Sequence, residues 1–440
     1  MIYKAYGFIH KNAKRILKKK SSIDTVKFVD YPDSLFSDKK AGNLNKSKVY
    51  PVENPVLTLN DSIAPRSFTA KRQKVINHCL SSSEAEGLWK SFLIKSEISK
   101  GYLGAGFHYA GYIEDCSSWC LPSWIWTNAA LVRYYCKSYR YEEAGKLGRL
   151  FLDCQDSSGL WIVRNDYIDA RVIRELAPND SCYIALNACV PLYECTEDTR
   201  YLDAALRCAD ACIRTARPDG LVYISYDADL HEWIKQKNIV DIGFTAGLFA
   251  RLYQITGKKE YYDFLKRFAG RYIDIFYMKD KGCFATAVDE NDKAFGGSFG
   301  RGQAWALEGL IPAYEVLKDQ ETEKVIVSCI HTLLEKQKDG GWSYNLDKPL
   351  MGVDCKAVPV IARCFLEWNR LRPQKELVNA ARSAMDWCIR HTVSSGEAAG
   401  GIFSYTIEGA VAHHMYTSTA FVYASAYALE VMDELEALKE

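Results

Sequence analysis

An all-α (α/α)6 toroid is the fold this 440-residue sequence predicts, with six helical hairpins closed into a ring and short β-like segments at one mouth. Three observations predict it. First, a glycine followed by a bulky apolar residue recurs after a helical run: Gly159-Leu160-Trp161, Gly220-Leu221, Gly282-Cys283-Phe284, Gly341-Trp342 and Gly401-Ile402. The intervals are 61, 62, 59 and 60 residues, and Gly101-Tyr102 lies 58 earlier. A fixed period of this kind marks a repeated supersecondary unit. Second, each unit contains two helical patterns of different character. Third, the two patterns alternate, as inner and outer helices of a ring would. An open solenoid is the competing arrangement for helical repeats; the six-fold count favours closure.

Residues 1–60 show no sustained period. Pro32, Pro51 and Pro55, with many Ser, Asp, Lys and Asn, read as an irregular arm, and 61–440 as one (α/α)6 catalytic domain. A helix is expected from about Phe68 to Leu80, completing the last pair at the closure point. Within each unit an aromatic, β-like segment follows the glycine, as in Leu221–Tyr226 and Gly282–Val288. The first helices are expected to begin near Leu121, Asp180, Asp241, Arg301, Asp354 and His414. They are apolar nearly all round, as befits helices buried on most sides. The second helices, beginning near Tyr141, Thr199, Lys258, Glu321 and Gln374, mix charge with apolar positions and present one face to water.

Composition narrows the function. A net charge of +1, with 25% charged and 48% hydrophobic residues, gives no support for nucleic acid as a partner. No apolar run is long enough for a membrane span. The 15 cysteines are scattered without CxxC pairs. Many occupy helix-like apolar positions (Cys189, Cys208, Cys212, Cys329, Cys364, Cys388), which reads as reduced cysteine used as a small hydrophobe, and hence a cytoplasmic setting. No Cys/His cluster has metal-ligand spacing, so neither a metal nor another cofactor is expected. The 28 Tyr, 18 Phe and 10 Trp suit sugar-stacking surfaces, although a large core uses the same residues.

The stretch Gly296–Glu315 concentrates the functional signal. Gly296, Gly297, Gly300 and Gly302 form a loop that opens a helix, on which Arg301 and Trp305, four apart, share a face. A guanidinium beside an aromatic ring suits an anionic sugar: the one pairs with a carboxylate and the other stacks on the pyranose. If the inner helices run the same way, their N-termini line one mouth, with a positive dipole end and free N–H groups. That rim collects Asp180, Asp241, Arg301, Asp354 and His413-His414, with Asp115 and Trp119 ahead of the first helix. The bland alternative is that each aspartate is an N-cap.

The motif Arg301-Gly302-Gln303-Ala304-Trp305-Ala306 resembles the RGQAW signature of unsaturated glucuronyl hydrolases (glycoside hydrolase family 88) and unsaturated rhamnogalacturonyl hydrolases (family 105). Weaker matches are Asn179-Asp180, Asp241-Ile242-Gly243-Phe244 and Asp354-Cys355-Lys356-Ala357. The resemblance spans roughly Gly101 to the C-terminus. Phe299 stands where the family often has Trp, and Lys356 where a small polar residue is usual.

The resemblance implies an (α/α)6 fold and an unusual reaction on uronates with a C4=C5 double bond. An aspartate protonates C4, water adds at C5, and the resulting hemiketal opens to release the aglycone. By resemblance Asp241 is the proton donor and Asp180 its partner. Arg301, Trp305, Gln303, Phe299, Asp354, Trp119 and His414 are then the substrate-binding set, with an anionic oligosaccharide as partner. A proton must stay on the acid near neutral pH, which needs burial or a neighbouring carboxylate. Two other readings stay open: a sugar epimerase or lyase using His413, His414, Tyr416 or His231, and a non-catalytic carbohydrate-binding or polysaccharide-assembly protein on the same scaffold.

Overall fold

The computed structural model describes residues 80–438 apart from 98–106, 109, 114–117, 121–124, 166–172, 228–231, 236, 350–351 and 404–418, together with the antiparallel strand pair Val26–Lys27 and Pro51–Val52. In chain order its helices are α1 (Ser82–Lys95), α2 (Asn128–Lys137), α3 (Tyr141–Cys154), α4 (178–196), α5 (Thr199–Arg214), α6 (Phe244–Thr256), α7 (Lys259–Phe276), α8 (Gly300–Leu317), α9 (Gln320–Lys336), α10 (Ala357–Leu371), α11 (Lys375–Arg390) and α12 (Val422–Ala437). The even-numbered helices form an inner ring. Each packs on its inner neighbours, and α12 packs back on α2, so the ring is closed.

Burial follows the two sequence patterns. Eleven residues of α12 and fourteen of α8 are buried, which leaves little of either surface for water. On α5 and α7 the buried residues recur at three- and four-residue steps (Tyr201, Ala204, Ala205, Cys208; Tyr261, Phe264, Leu265, Phe268), the stripe of a helix wet on its other side. Helix α4 contains one π-turn, Ala185–Cys189, just ahead of Pro191. Proline has no N–H to return to residue 187, and the wider turn absorbs that missing bond.

The repeating glycines have a shared physical cause. Gly159, Gly220 and Gly282 have positive φ, and in the last two repeats the residue with positive φ is Gly340 or Gly400, one position ahead of the expected Gly341 and Gly401; all five lie between 62° and 96°. Each also lies against the outer helix of the next unit. A Cβ at Gly159 would come within 2.4 Å of the Arg207 carbonyl on α5, and one at Gly340 within 2.0 Å of the Ser383 carbonyl on α11. Only glycine meets both demands. Gly400 fits the same rule against the Leu88 carbonyl of α1, again at 2.0 Å.

Helix α1 is therefore the sixth outer helix. It begins at a capping box in which Ser81 and Glu84 bond each other's backbone N–H. The expected helix at 68–80 lies outside the described residues except for Leu80, and the closing role falls to Ser82–Lys95 instead. A second closure lies in the strands, where Thr419–Phe421 pairs antiparallel with Gly111–Ile113 and so joins the last unit to the first.

Short sheets occupy the mouth from which the inner helices start. Ile173–Leu176, Lys237–Ile239 and Thr419–Phe421 run directly into α4, the turn before α6, and α12. Two inner helices start later than expected, α2 at Asn128 rather than near Leu121 and α12 at Val422 rather than near His414. In both, the preceding residues include a strand of the closing sheet, Ser118–Cys120 or Thr419–Phe421.

Candidate active site

None of the inner helices has a side-chain N-cap, whereas α1, α5 and α9 are capped by Ser81, Asp198 and Asp319. Helix starts at the mouth therefore keep their first N–H groups for other partners. Among the rim aspartates, Asp354 does take up a backbone N–H just ahead of its helix: its Oδ1 accepts the Lys356 backbone N–H at 3.0 Å.

Asp241 sits in the 3-10 turn Val240–Gly243 that leads into α6. Its Oδ2 accepts a 2.8 Å bond from the Asn179 side-chain amide, and its Oδ1 is buried with no hydrogen-bond partner among the described residues. The same Asn179 amide lies 3.5 Å from Oδ1 of Asp180, which brings the two aspartates to either side of one residue. Burial raises the Asp241 carboxyl from its ordinary value of 3.8 to about 6, against the opposing pull of the Asn179 bond and the charges of Arg301 and Lys237. Of the two possible causes for a retained proton, desolvation is the operative one.

Arg301 opens α8 as expected and is 6% exposed. It makes no ion pair with a described residue. Its guanidinium lies 4.2 Å from the Trp305 ring centroid and also faces Tyr423 and Phe299, at 5.6 and 5.8 Å. One terminal nitrogen donates to the Tyr423 hydroxyl, and Nε is buried without a hydrogen-bond partner among the described residues. A guanidinium in an aromatic cage with unspent donors is prepared for an anion with planar oxygens.

Asp354 and Lys356 form a buried ion pair of 3.2 Å near the same centre. Burial, with Arg301 adding to it, holds the Lys356 ammonium below its ordinary value, and Lys356 also lies 4.5 Å from the Phe421 ring centroid. The Asp354 Oδ2 is buried with no hydrogen-bond partner among the described residues.

The remaining expected residues divide. Trp305 and Phe299 are half-buried and meet edge to face at 5.5 Å. Gln303 is a correction: it is fully buried and bonds the backbone of Phe284 in both directions, at 2.7 and 2.9 Å, and Phe299 O at 3.0 Å. Three backbone bonds leave its amide pinning the Cys283–Phe284 strand to α8 rather than turned to a ligand. Trp119 packs 5.2 Å from Phe92 on α1, and its indole N–H donates to Glu397, a neighbourhood at the ring closure. His414, with His413, Asp115, Tyr416 and His231, lies outside the described residues.

Residues missed in the sequence complete the cage. Trp126, Tyr183, Phe244 and Tyr423 join Trp305 in edge-to-face or tilted contacts of 4.8–6.3 Å. Their signal was present: Tyr183, Phe244 and Trp305 follow Asn179, Asp241 and Arg301 by three or four residues, one turn below the rim.

The comparisons bear on the family and the fold. The profile described as glycosyl hydrolase family 88 matches residues 122–432. Among solved structures, an unsaturated glucuronyl hydrolase specific for heparin superposes with a TM-score of 0.62 at 15% identity, covering 82% of this chain and 98% of that one. An unsaturated glucuronyl hydrolase from Bacillus sp. GL1 gives 0.61 at 17%, covering 80% and 95%. A family 76 mannosidase from Bacteroides thetaiotaomicron gives 0.57 at 14%, covering 82% and 100%. No curated protein sequence matches the chain. On the profile match over most of its length, with the six-hairpin ring it folds into, the chain belongs to glycosyl hydrolase family 88.

Proposed function

We propose that the protein hydrolyses oligosaccharides ending in a C4=C5-unsaturated uronate, by hydration of the double bond. The observation that carries this is the pairing of Asp241, whose carboxyl burial raises to about 6, with an Arg301 that is buried and free of any described carboxylate partner. A uronate carboxylate in the Trp305–Phe299–Tyr423 cage would take the Arg301 donors. Asp241 then protonates C4, and positive charge develops at C5 where the ring oxygen supports it. Water adds at C5 and its proton returns to the Asp241 carboxylate. The product hemiketal opens to release the aglycone, and no redox partner is needed. Asn179 holds Asp241 Oδ2, which leaves the unpartnered Oδ1 to carry the proton. Asp180 orients substrate or water from the other side of Asn179. The relatives named as glucuronyl hydrolases support this chemistry, and the cysteine usage supports a cytoplasmic setting for it.

The test is loss of the ultraviolet absorbance of the conjugated double bond on a panel of unsaturated glucuronyl and galacturonyl oligosaccharides. Consumption by the native protein and none by Asp241→Asn is the expected result. No consumption anywhere on the panel, with saturated sugars bound, would overturn the proposal in favour of a binding protein.

A further inference from the structure

The cysteines of α4 and α5 converge. Cys182 lies in the first turns of α4, three residues after Asn179, and Cys208 and Cys212 lie one turn apart on α5. All three are fully buried, and their sulfurs lie within 4.8 Å of one another. Cys182 and Cys212 are 3.6 Å apart, and the Thr245 hydroxyl of α6 is 3.5 Å from the Cys182 sulfur.

From this geometry we infer a thiophilic d10 cation site, with Zn(II) the representative ion, ligated by Cys182, Cys208 and Cys212 with the Thr245 hydroxyl in the fourth position. Tetrahedral zinc with bonds of about 2.3 Å to sulfur and about 2.0 Å to oxygen sets neighbouring ligand atoms about 3.5–3.8 Å apart. The Cys182–Cys212 and Thr245–Cys182 separations, 3.6 and 3.5 Å, both fall there. Binding exchanges three S–H protons for three Zn–S bonds, with no change in oxidation state. Three thiolates and one divalent ion leave a single negative charge, and Arg214, on α5 two residues beyond Cys212, acts on that residue electrostatically. Cysteines used only as small hydrophobes need no such convergence from two helices, and the other buried cysteines form no such cluster among the described residues.

Such an ion would tie α4, α5 and α6 together directly beneath Asn179, Asp180 and Asp241. It takes no part in the proposed hydration, and its test does not use activity. The full chain is stripped with chelator under reducing conditions and titrated with Zn(II) against a chromophoric competitor, then with Cd(II), whose thiolate charge-transfer band reports sulfur ligation. Expected are one ion per chain, the charge-transfer band, and a rise in Tm that saturates at one equivalent. Cys208→Ala and Cys212→Ser should each lose all three, while Cys195→Ser, at the exposed cysteine, keeps them. If the variants fail to fold, alkylation of the native chain in mild denaturant decides: bound ion should protect three thiols. No stoichiometric binding, no protection, or a Cys182–Cys212 disulfide as the purified state would overturn the inference.

Discussion

Two clusters of buried charge share the inner helices of this ring, about two helical turns apart, and they are built on opposite rules. At the mouth, Arg301 has no described carboxylate and Asp241 has one idle oxygen. Deeper in, Arg133 of α2 and Arg363 of α10 are matched against Glu308 of α8 and Glu430 of α12. Arg133 bonds Glu430 at 2.9 Å, and Arg363 bonds Glu308 at 3.0 Å and Glu430 at 3.1 Å. The Tyr427 hydroxyl adds a 2.6 Å bond to Glu308 and meets the Tyr183 hydroxyl at 2.8 Å. Five of the six inner helices contribute a member, since Arg133 also donates to Asn187 in the π-turn of α4. Burial alone therefore does not make a site. Arg133 Nη2 and Glu308 Oε2 also lack a hydrogen bond among the described residues, so the difference lies in charge pairing: charges matched by opposite charges of the chain hold the ring together, and one without a described counter-charge is available to a ligand.

Substitutions sharpen that contrast. The largest effect is expected for Asp241→Asn: a fall in kcat of about 10³-fold, the scale of a lost general acid, with an unchanged circular dichroism spectrum. Next is Glu430→Gln, which strips the common partner of Arg133, Lys137 and Arg363. It should cost about 3–5 kcal/mol in urea denaturation while the folded fraction keeps its KM. Arg301→Met should do the reverse, raising KM about 10- to 100-fold with little loss of stability, because no described ion pair breaks. Glu308→Gln should cost less than Glu430→Gln, about 1–2 kcal/mol. Burial raises the Glu308 carboxyl above its ordinary range, whereas three cations overcome burial and hold Glu430 well below it. Equal costs at the two glutamates would dissolve the distinction drawn between them.

An effect of similar size is the pH dependence of stability. Asp241 binds more protons folded than unfolded between 3.8 and about 6. Its contribution favours the native state below that window and is lost as pH rises through about 6, by on the order of 1–3 kcal/mol after allowance for its partly exposed edge. Asp241→Asn should remove this term from a Tm-against-pH curve. In the native enzyme, kcat should decline above about pH 6 as the acid form is depleted.

The ring was legible in the sequence because its period is enforced by sterics. A glycine is required wherever a loop with positive φ presses on the next outer helix, and that requirement leaves a mark about every 60 residues. The Arg301–Trp305 junction was legible because the two residues are neighbours on one helix. The paired network was not, since Arg133, Glu308, Arg363 and Glu430 read along the chain like charges on a wet helix face. Cys182, Cys208 and Cys212 were hidden for a related reason: 26 residues separate Cys182 from Cys208, and only helix packing brings them together. Gln303 misled because it lies inside the motif, while its position on the helix turns it inward to the Phe284 backbone.

The last hairpin is connected differently from the other five: its inner helix is α12, late in the chain, and its outer helix is α1, the first of the ring, joined by no turn. Gly400 and the Gly111–Ile113 strand fasten it as the covalent turns fasten the rest. A tether between positions 438 and 80 would turn the chain into an endless loop, and a new opening at Tyr139 or Lys318, both in left-handed turns between hairpin arms, would leave every packed interface in place. Mechanically the native opening behaves as a clasp. Tension applied at positions 80 and 438 loads that interface before any other, so the ring would come undone there first, with five hairpins still assembled.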